Sequence, residues 1–244
     1  MGLKPLFLEE WRQSTFDGVA RGRAVEADGA VIALPEAYMA EREAARLLGV
    51  KGGLREGAAA GHEDLCLVER QGDTHVLTAG AVGWPTDWRL ADKIGLPLLQ
   101  VHAPIHGYAD KLSAGVERFL ADLPAGRIFG RANWFVVANG DLAYLPTDDP
   151  ATRFAHVTPH NAGETLFVRC ERQTFRRLPV TGAILFAIGV YVTRLDTLPR
   201  DLVPDLADAV AALAQGEDER RAAPFYLPAL AAYAAATSRQ TASP

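Results

Sequence analysis

The apolar positions of the chain change period several times, and each change marks an element. From residue 35 to 48 they recur at helical spacing, opened by Pro35 and Glu36 and stopped by Gly49, which predicts a helix. Residues 64–69 and 74–82 read instead as two strands joined by the turn Gln71-Gly72-Asp73, a hairpin. Between 109 and 123, Leu112, Val116, Phe119, Leu120 and Leu123 form one stripe of an amphipathic helix, ended by Pro124-Ala125-Gly126. Three strands follow, over 133–138, 165–177 and 183–194, and two helices close the chain, over 204–215 and 228–236. The intervening segments are less regular. Residues 1–30 read as an irregular lead with a short hairpin at Ala27-Asp28-Gly29, and 51–61 as a loop or weak helix. Residues 87–99 read as short helical pieces, 139–163 as a long loop, and 237–244 as a disordered tail.

Two strands, a helical middle and three more strands imply an α+β fold, with an antiparallel five-stranded sheet and helices gathered on one face. This β-β-α(n)-β-β-β order resembles that of PAS-type domains, whose sheet and helical middle enclose one small-molecule pocket. The expected organisation is an N-terminal extension and helix over 1–62, a PAS-like core over 63–195, C-terminal helices over 196–236 and the tail.

The strand at 165–177 carries unusual charge: Arg169, Glu171, Arg172, Arg176 and Arg177 lie within nine positions. Its neighbour at 183–194 is almost wholly apolar and so belongs deep in a sheet. Alternation puts Arg169, Glu171, Gln173, Phe175 and Arg177 on one face, and Cys170, Arg172, Thr174, Arg176 and Leu178 on the other. Unpaired charge is costly to bury. Either these groups line a site, or they form a solvated face with cross-strand ion pairs.

Composition narrows the classes. With 49% hydrophobic and 23% charged residues among 244, the chain matches an ordinary soluble globular protein. A net charge of −5 gives no nucleic-acid footprint, and the longest apolar run, over 183–192, is too short to span a bilayer. Cys66 and Cys170 lack zinc spacing and a CxxC partner, so both read as buried core thiols, which fits a cytoplasmic location.

None of the six histidines forms HExxH or a zinc-finger spacing. His62 and His75, at strand edges, read as surface groups, and Pro159 argues against a metal shared by His156 and His160. His102 follows the apolar run Leu98-Leu99-Gln100-Val101, where a neutral imidazole is either a heme axial ligand or a hydrogen-bonded turn residue. Trp84, Trp88 and Trp134 read as core fillers, and no nucleophile elbow, P-loop or dinucleotide fingerprint is present.

Several phrases occur together: Glu63-Asp64-Leu65-Cys66-Leu67; Trp84-Pro85 leading through Trp88 to Asp92-Lys93-Ile94-Gly95-Leu96-Pro97; Val101-His102-Ala103-Pro104; Tyr108; Arg131-Ala132-Asn133-Trp134; and Cys170-Glu171-Arg172-Gln173-Thr174 running on to Phe186. In this order they resemble the heme-dependent oxidative N-demethylase α-subunit family, over roughly residues 63–195. The resemblance implies a PAS-type fold holding a b-type heme. It implies O2-dependent oxidation of a small secondary amine such as dimethylamine. Electrons would come from a separate NADPH-dependent reductase carrying FMN and a 2Fe-2S cluster, and formaldehyde would pass to a folate-using subunit.

It also implies residue roles. His102 would ligate the iron, and His106 stands where relatives are expected to have proline. Glu171, with Gln173, would bind the substrate ammonium. Arg172 or Arg177 would hold a heme propionate, and Arg131 would polarise oxygen or hold the other propionate. Two other readings stay open: a heme-based sensor without turnover, and a cofactor-free interaction module.

Overall fold

The computed structural model describes residues 4–6, 17–105 and 107–241. The fold is α+β, built on an open antiparallel sheet. Its strands are β1 (Lys4–Leu6), β2 (Val31–Ala33), β3 (Asp64–Gln71), β4 (Thr74–Ala81), β5 (Ile128–Val137), β6 (Phe167–Arg177) and β7 (Ile184–Arg194), in the spatial order β1-β5-β6-β7-β3-β4-β2. The five long strands match those expected, and the three-residue edge strands β1 and β2 make the count seven rather than five among the described residues. A three-residue strand is too short to show a period. β5 also begins well before residue 133, because its first half alternates only weakly.

The chain divides into two compact units. The first contains the described residues up to Asn133, Ala143–Leu145 and Glu171–Val190. In it β3 carries apolar side chains on both faces: Leu65 and Leu67 enter one cluster, Cys66 and Val68 another. The first cluster is covered by helices Gly18–Glu26, Tyr38–Leu47 and Leu54–Ala59 through Val25, Ala40, Ala44, Leu54 and Ala58. The second is covered by the helical middle, through Leu90, Leu98 and Leu120. Helices therefore lie on both faces, not on one, as the unbroken Leu-Cys-Leu-Val run of β3 requires. A bulge adds Thr78 to β4 between the pairs Leu67↔Ala79 and Val68↔Leu77, so Leu77 joins one cluster and Ala79 the other.

The irregular lead contains a real helix, Gly18–Glu26, whose start is set by Asp17: its carboxylate accepts from the N–H groups of Val19 and Ala20, each at 3.0 Å. The helix is anchored by Arg21, which is fully buried and donates to the Asp64 carboxylate at 2.6 Å, the Ala58 carbonyl at 2.7 Å and the Glu63 carbonyl at 2.6 Å. Its guanidinium also lies 4.6 Å from the centre of the Trp84 ring. Gly83 permits this approach, since a Cβ there would come within 2.9 Å of Ala24 and 3.0 Å of the Arg21 guanidinium.

The second unit contains Trp134–Leu142, Pro146–Cys170 and the described residues from Tyr191 on. Its core joins Val136, Phe154, Leu166 and Val168 to helices Leu202–Ala211 and Ala223–Thr241. The last helix begins before Pro228 and runs through the first residues of the segment expected to be disordered. Among the described residues no helix is long and apolar enough to cross a membrane.

Candidate functional site

Pleating places Arg131 and Asn133 of β5 beside Glu171 and Gln173 of β6, all in the first unit. Glu171 and Gln173 are each only 6% exposed, so their polar atoms need partners. One carboxylate oxygen of Glu171, Oε2, accepts from Asn133 Nδ2 at 3.2 Å and from Gln173 Nε2 at 3.0 Å. The other end of the Gln173 amide, Oε1, accepts from Arg131 Nε at 2.7 Å. Each amide orientation is dictated by its partner, because a carboxylate can only accept and a guanidinium can only donate. The result is a chain running Arg131–Gln173–Glu171–Asn133. Two atoms at its end remain open: Glu171 Oε1 accepts no hydrogen bond from the described residues, and Asn133 Oδ1 is buried without a partner.

The helical middle supplies the second component. His102 caps the short helix Leu98–Val101, and its Nδ1 lies 2.8 Å from the Leu98 carbonyl. A carbonyl only accepts, so Nδ1 carries the proton and Nε2 presents the lone pair. The chain then turns through Gly107, at φ 71°, into Tyr108, whose ring stacks on the imidazole at 4.4 Å and 13°. Burial pushes the His102 pKa below its ordinary 6.5 against the pull of the Leu98 carbonyl, and the charges of Arg131 and Lys93 push it the same way. Burial also raises the Tyr108 phenol, helped by the charge of Glu117 and opposed by that of Arg131. Arg131 is thus within electrostatic reach of His102, Tyr108 and Glu171.

The other residues singled out in the sequence lie elsewhere. Arg172 points to the opposite face of β6, where it forms an ion pair with Glu63 and its charge is felt by His62. Arg177 shares the face of Glu171 but is occupied as a helix cap. Its guanidinium donates to the carbonyls of Leu120, Ala121 and Leu123 at the end of helix Ser113–Asp122, and to the Gly182 carbonyl. His106 lies outside the described residues.

His62 and His75 are not surface groups but 8% and 3% exposed. His62 Nε2 bonds to the Val190 carbonyl at 2.6 Å, and His75 Nδ1 to the Glu117 carboxylate, partners distant in sequence. His156 and His160 are exposed. Cys66 is buried, while Cys170 is only half-buried.

Two participants, Asn133 and Tyr108, had drawn no role from the sequence. Asn133 was legible in principle, since alternation from Arg131 puts it on the same face.

Among the described residues no group of three or more His, Cys, Asp or Glu side chains could hold a bare metal ion. A porphyrin brings four nitrogens of its own, so heme iron needs only an axial ligand from the protein. His102 fits that need: a neutral imidazole, oriented by a carbonyl behind it, with Nε2 presenting the lone pair. Of the two arginines expected to hold a propionate, Arg172 lies on the opposite face of β6, paired with Glu63, and Arg177 is bonded to the carbonyls at the helix end. Of the three arginines, Arg131 alone stands near His102.

The family model described as "Haem-dependent oxidative N-demethylase, alpha subunit-like" matches residues 53–226, well over half of the chain and all of the side chains just described. The chain belongs to the heme-dependent oxidative N-demethylase alpha subunit-like family.

Proposed function

We propose that this protein carries out the O2-dependent demethylation of a small secondary amine such as dimethylamine, at a heme held by His102. The observation that carries the reading is the buried Glu171 carboxylate, fixed through one oxygen by Asn133 and Gln173 while the other accepts no bond from the described residues. A buried carboxylate poised in this way suits an ammonium ion, because a charge-assisted hydrogen bond offsets the desolvation of both partners. The PAS-type description of the core is supported by β3, β4, β5, β6 and β7 following in the order β-β, helices, β-β-β, with β3 and β7 side by side.

Heme would supply oxygen activation at this site, with electrons from a separate NADPH-dependent reductase carrying FMN and a 2Fe-2S cluster. Dimethylamine, O2, NADPH and a proton would give methylamine, formaldehyde, NADP+ and water, the formaldehyde passing to a folate-using partner. The chain's own residues bind and orient. Glu171 holds the nitrogen, Gln173 and Asn133 fix the carboxylate, and Tyr108 braces the His102 ring. Arg131 provides the positive charge on this side, for a propionate or for oxygen.

Glu171→Gln should weaken amine binding by about tenfold to a hundredfold, the worth of a hydrogen bond to a charged group, and leave heme in place. Unaltered amine-induced spectral shifts in that variant would remove Glu171 from the substrate site. The function itself is tested by supplying heme-loaded protein with dimethylamine, O2 and a reductase and measuring formaldehyde. Stoichiometric formaldehyde is expected. A heme-loaded protein that binds the amine without releasing formaldehyde would instead be a sensor or carrier.

A further inference from the structure

Building on the reading of Glu171 as the partner of the amine, we propose that Asn133 Oδ1 is a second acceptor for the same nitrogen, so that the site selects ammonium ions bearing at least two N–H bonds. Asn133 Oδ1 is shut off from solvent and receives no hydrogen bond from the described residues. Such an acceptor forfeits its bond to water on folding and gains nothing in return, which native structures seldom tolerate away from a binding site.

The orphan does not arise from a reversed amide. Turning the Asn133 side chain over would set its carbonyl oxygen against the Glu171 carboxylate, in place of the 3.2 Å Nδ2–Oε2 bond. Nor do its neighbours in the chain supply a donor. Arg131 Nε is given to Gln173 Oε1, and Gln173 Nε2 to Glu171 Oε2.

On this proposal Asn133 Oδ1 and the open Glu171 Oε1 give one ligand two acceptors, an amide oxygen and a carboxylate oxygen. A dialkylammonium ion carries two N–H bonds on one tetrahedral nitrogen and can give one to each. A trialkylammonium ion has one N–H, which goes to the carboxylate and leaves Oδ1 unsatisfied. A quaternary ammonium ion has none. Discrimination by an unfilled buried acceptor is stronger than discrimination by fit of one methyl group.

The test measures dissociation constants by calorimetry on the full chain with heme bound, using dimethylammonium and trimethylammonium. The wild type should prefer dimethylammonium by about tenfold to a hundredfold, the worth of one hydrogen bond to a charged group. Asn133→Leu should abolish the preference, weakening dimethylammonium more than trimethylammonium, since both lose the Asn133 Nδ2 bond that steadies Glu171 and only the former loses an acceptor. Asn133→Ala, which also removes the acceptor, provides the same comparison if the leucine variant does not fold. An unchanged preference overturns the proposal. So does an equal weakening of both amines, which would make Asn133 a residue that only positions Glu171. Failure of the underlying reading has a different signature: Glu171→Gln would then leave both amines bound as in the wild type.

Discussion

His102→Ala should abolish stable heme binding. The imidazole is held by two contacts: Nδ1 is tied to the Leu98 carbonyl, and the Tyr108 ring stacks along its plane. Those contacts fix the tautomer and the direction of Nε2, and a carbonyl behind the ring strengthens the lone pair as a donor. Alanine removes the ligand while leaving the backbone hydrogen bonds of residue 102 in place, so the fold should persist. The check is the Soret band of the purified variant after reconstitution, and an unchanged band would show that His102 is not the ligand. The lowered pKa adds a pH dependence. Only the neutral ring can ligate, and its folded pKa lies below 6.5. Ligation should therefore be retained at pH 6.5, where an ordinary histidine is half protonated, and be lost as pH falls further through the depressed value. Loss already complete at pH 6.5 would contradict the burial argument.

Arg21→Met should destabilise the protein by about 3–5 kcal/mol, the usual consequence of removing one partner of a buried ion pair. Arg21 and Asp64 are 0% and 1% exposed, and Asp64 also accepts from the N–H groups of Gly83 at 2.8 Å and Trp84 at 3.1 Å. Without the guanidinium the carboxylate keeps its burial and loses its counter-charge, while the Ala58 and Glu63 carbonyls each lose the bond from Arg21. Burial already pushes the Asp64 pKa upward, with Arg21 opposing it. In the variant the carboxyl should therefore take up a proton more readily, and the penalty should shrink as pH falls. Urea unfolding at pH 7 and pH 5 checks both points. A loss under about 1 kcal/mol at pH 7 would mean that the pair is not the anchor described.

The sequence showed the long strands clearly because their patterning is strong. It also showed the decisive alternation of β6, which separates Glu171 and Gln173 from Arg172. It could not show which charges were already spent. Arg177 reads like a ligand-binding arginine, but three of its four carbonyl partners are 54 to 57 positions away, at the end of a helix docked by tertiary packing. The burial of His62 depends on Val190, 128 positions away, and the anchoring of Arg21 on Asp64, 43 positions away. Helix Gly18–Glu26 was hidden because its sequence, with two glycines and two arginines, lacks an apolar stripe. Its buried face consists of one valine and one paired arginine. Asp17 was the available signal, since an N-cap needs no hydrophobic period. The placement of helices on both faces was readable in the unbroken apolar run of β3, which a half-exposed strand would not carry.

The claim that joins His102 to Glu171 is best tested by one visible absorption spectrum. Protein expressed with a heme precursor is recorded before and after addition of dimethylamine. A Soret band that shifts on amine addition, with the shift lost in Glu171→Gln, is the predicted result. No band after heme reconstitution, or a band indifferent to the amine, would contradict an amine site at a His102-bound heme.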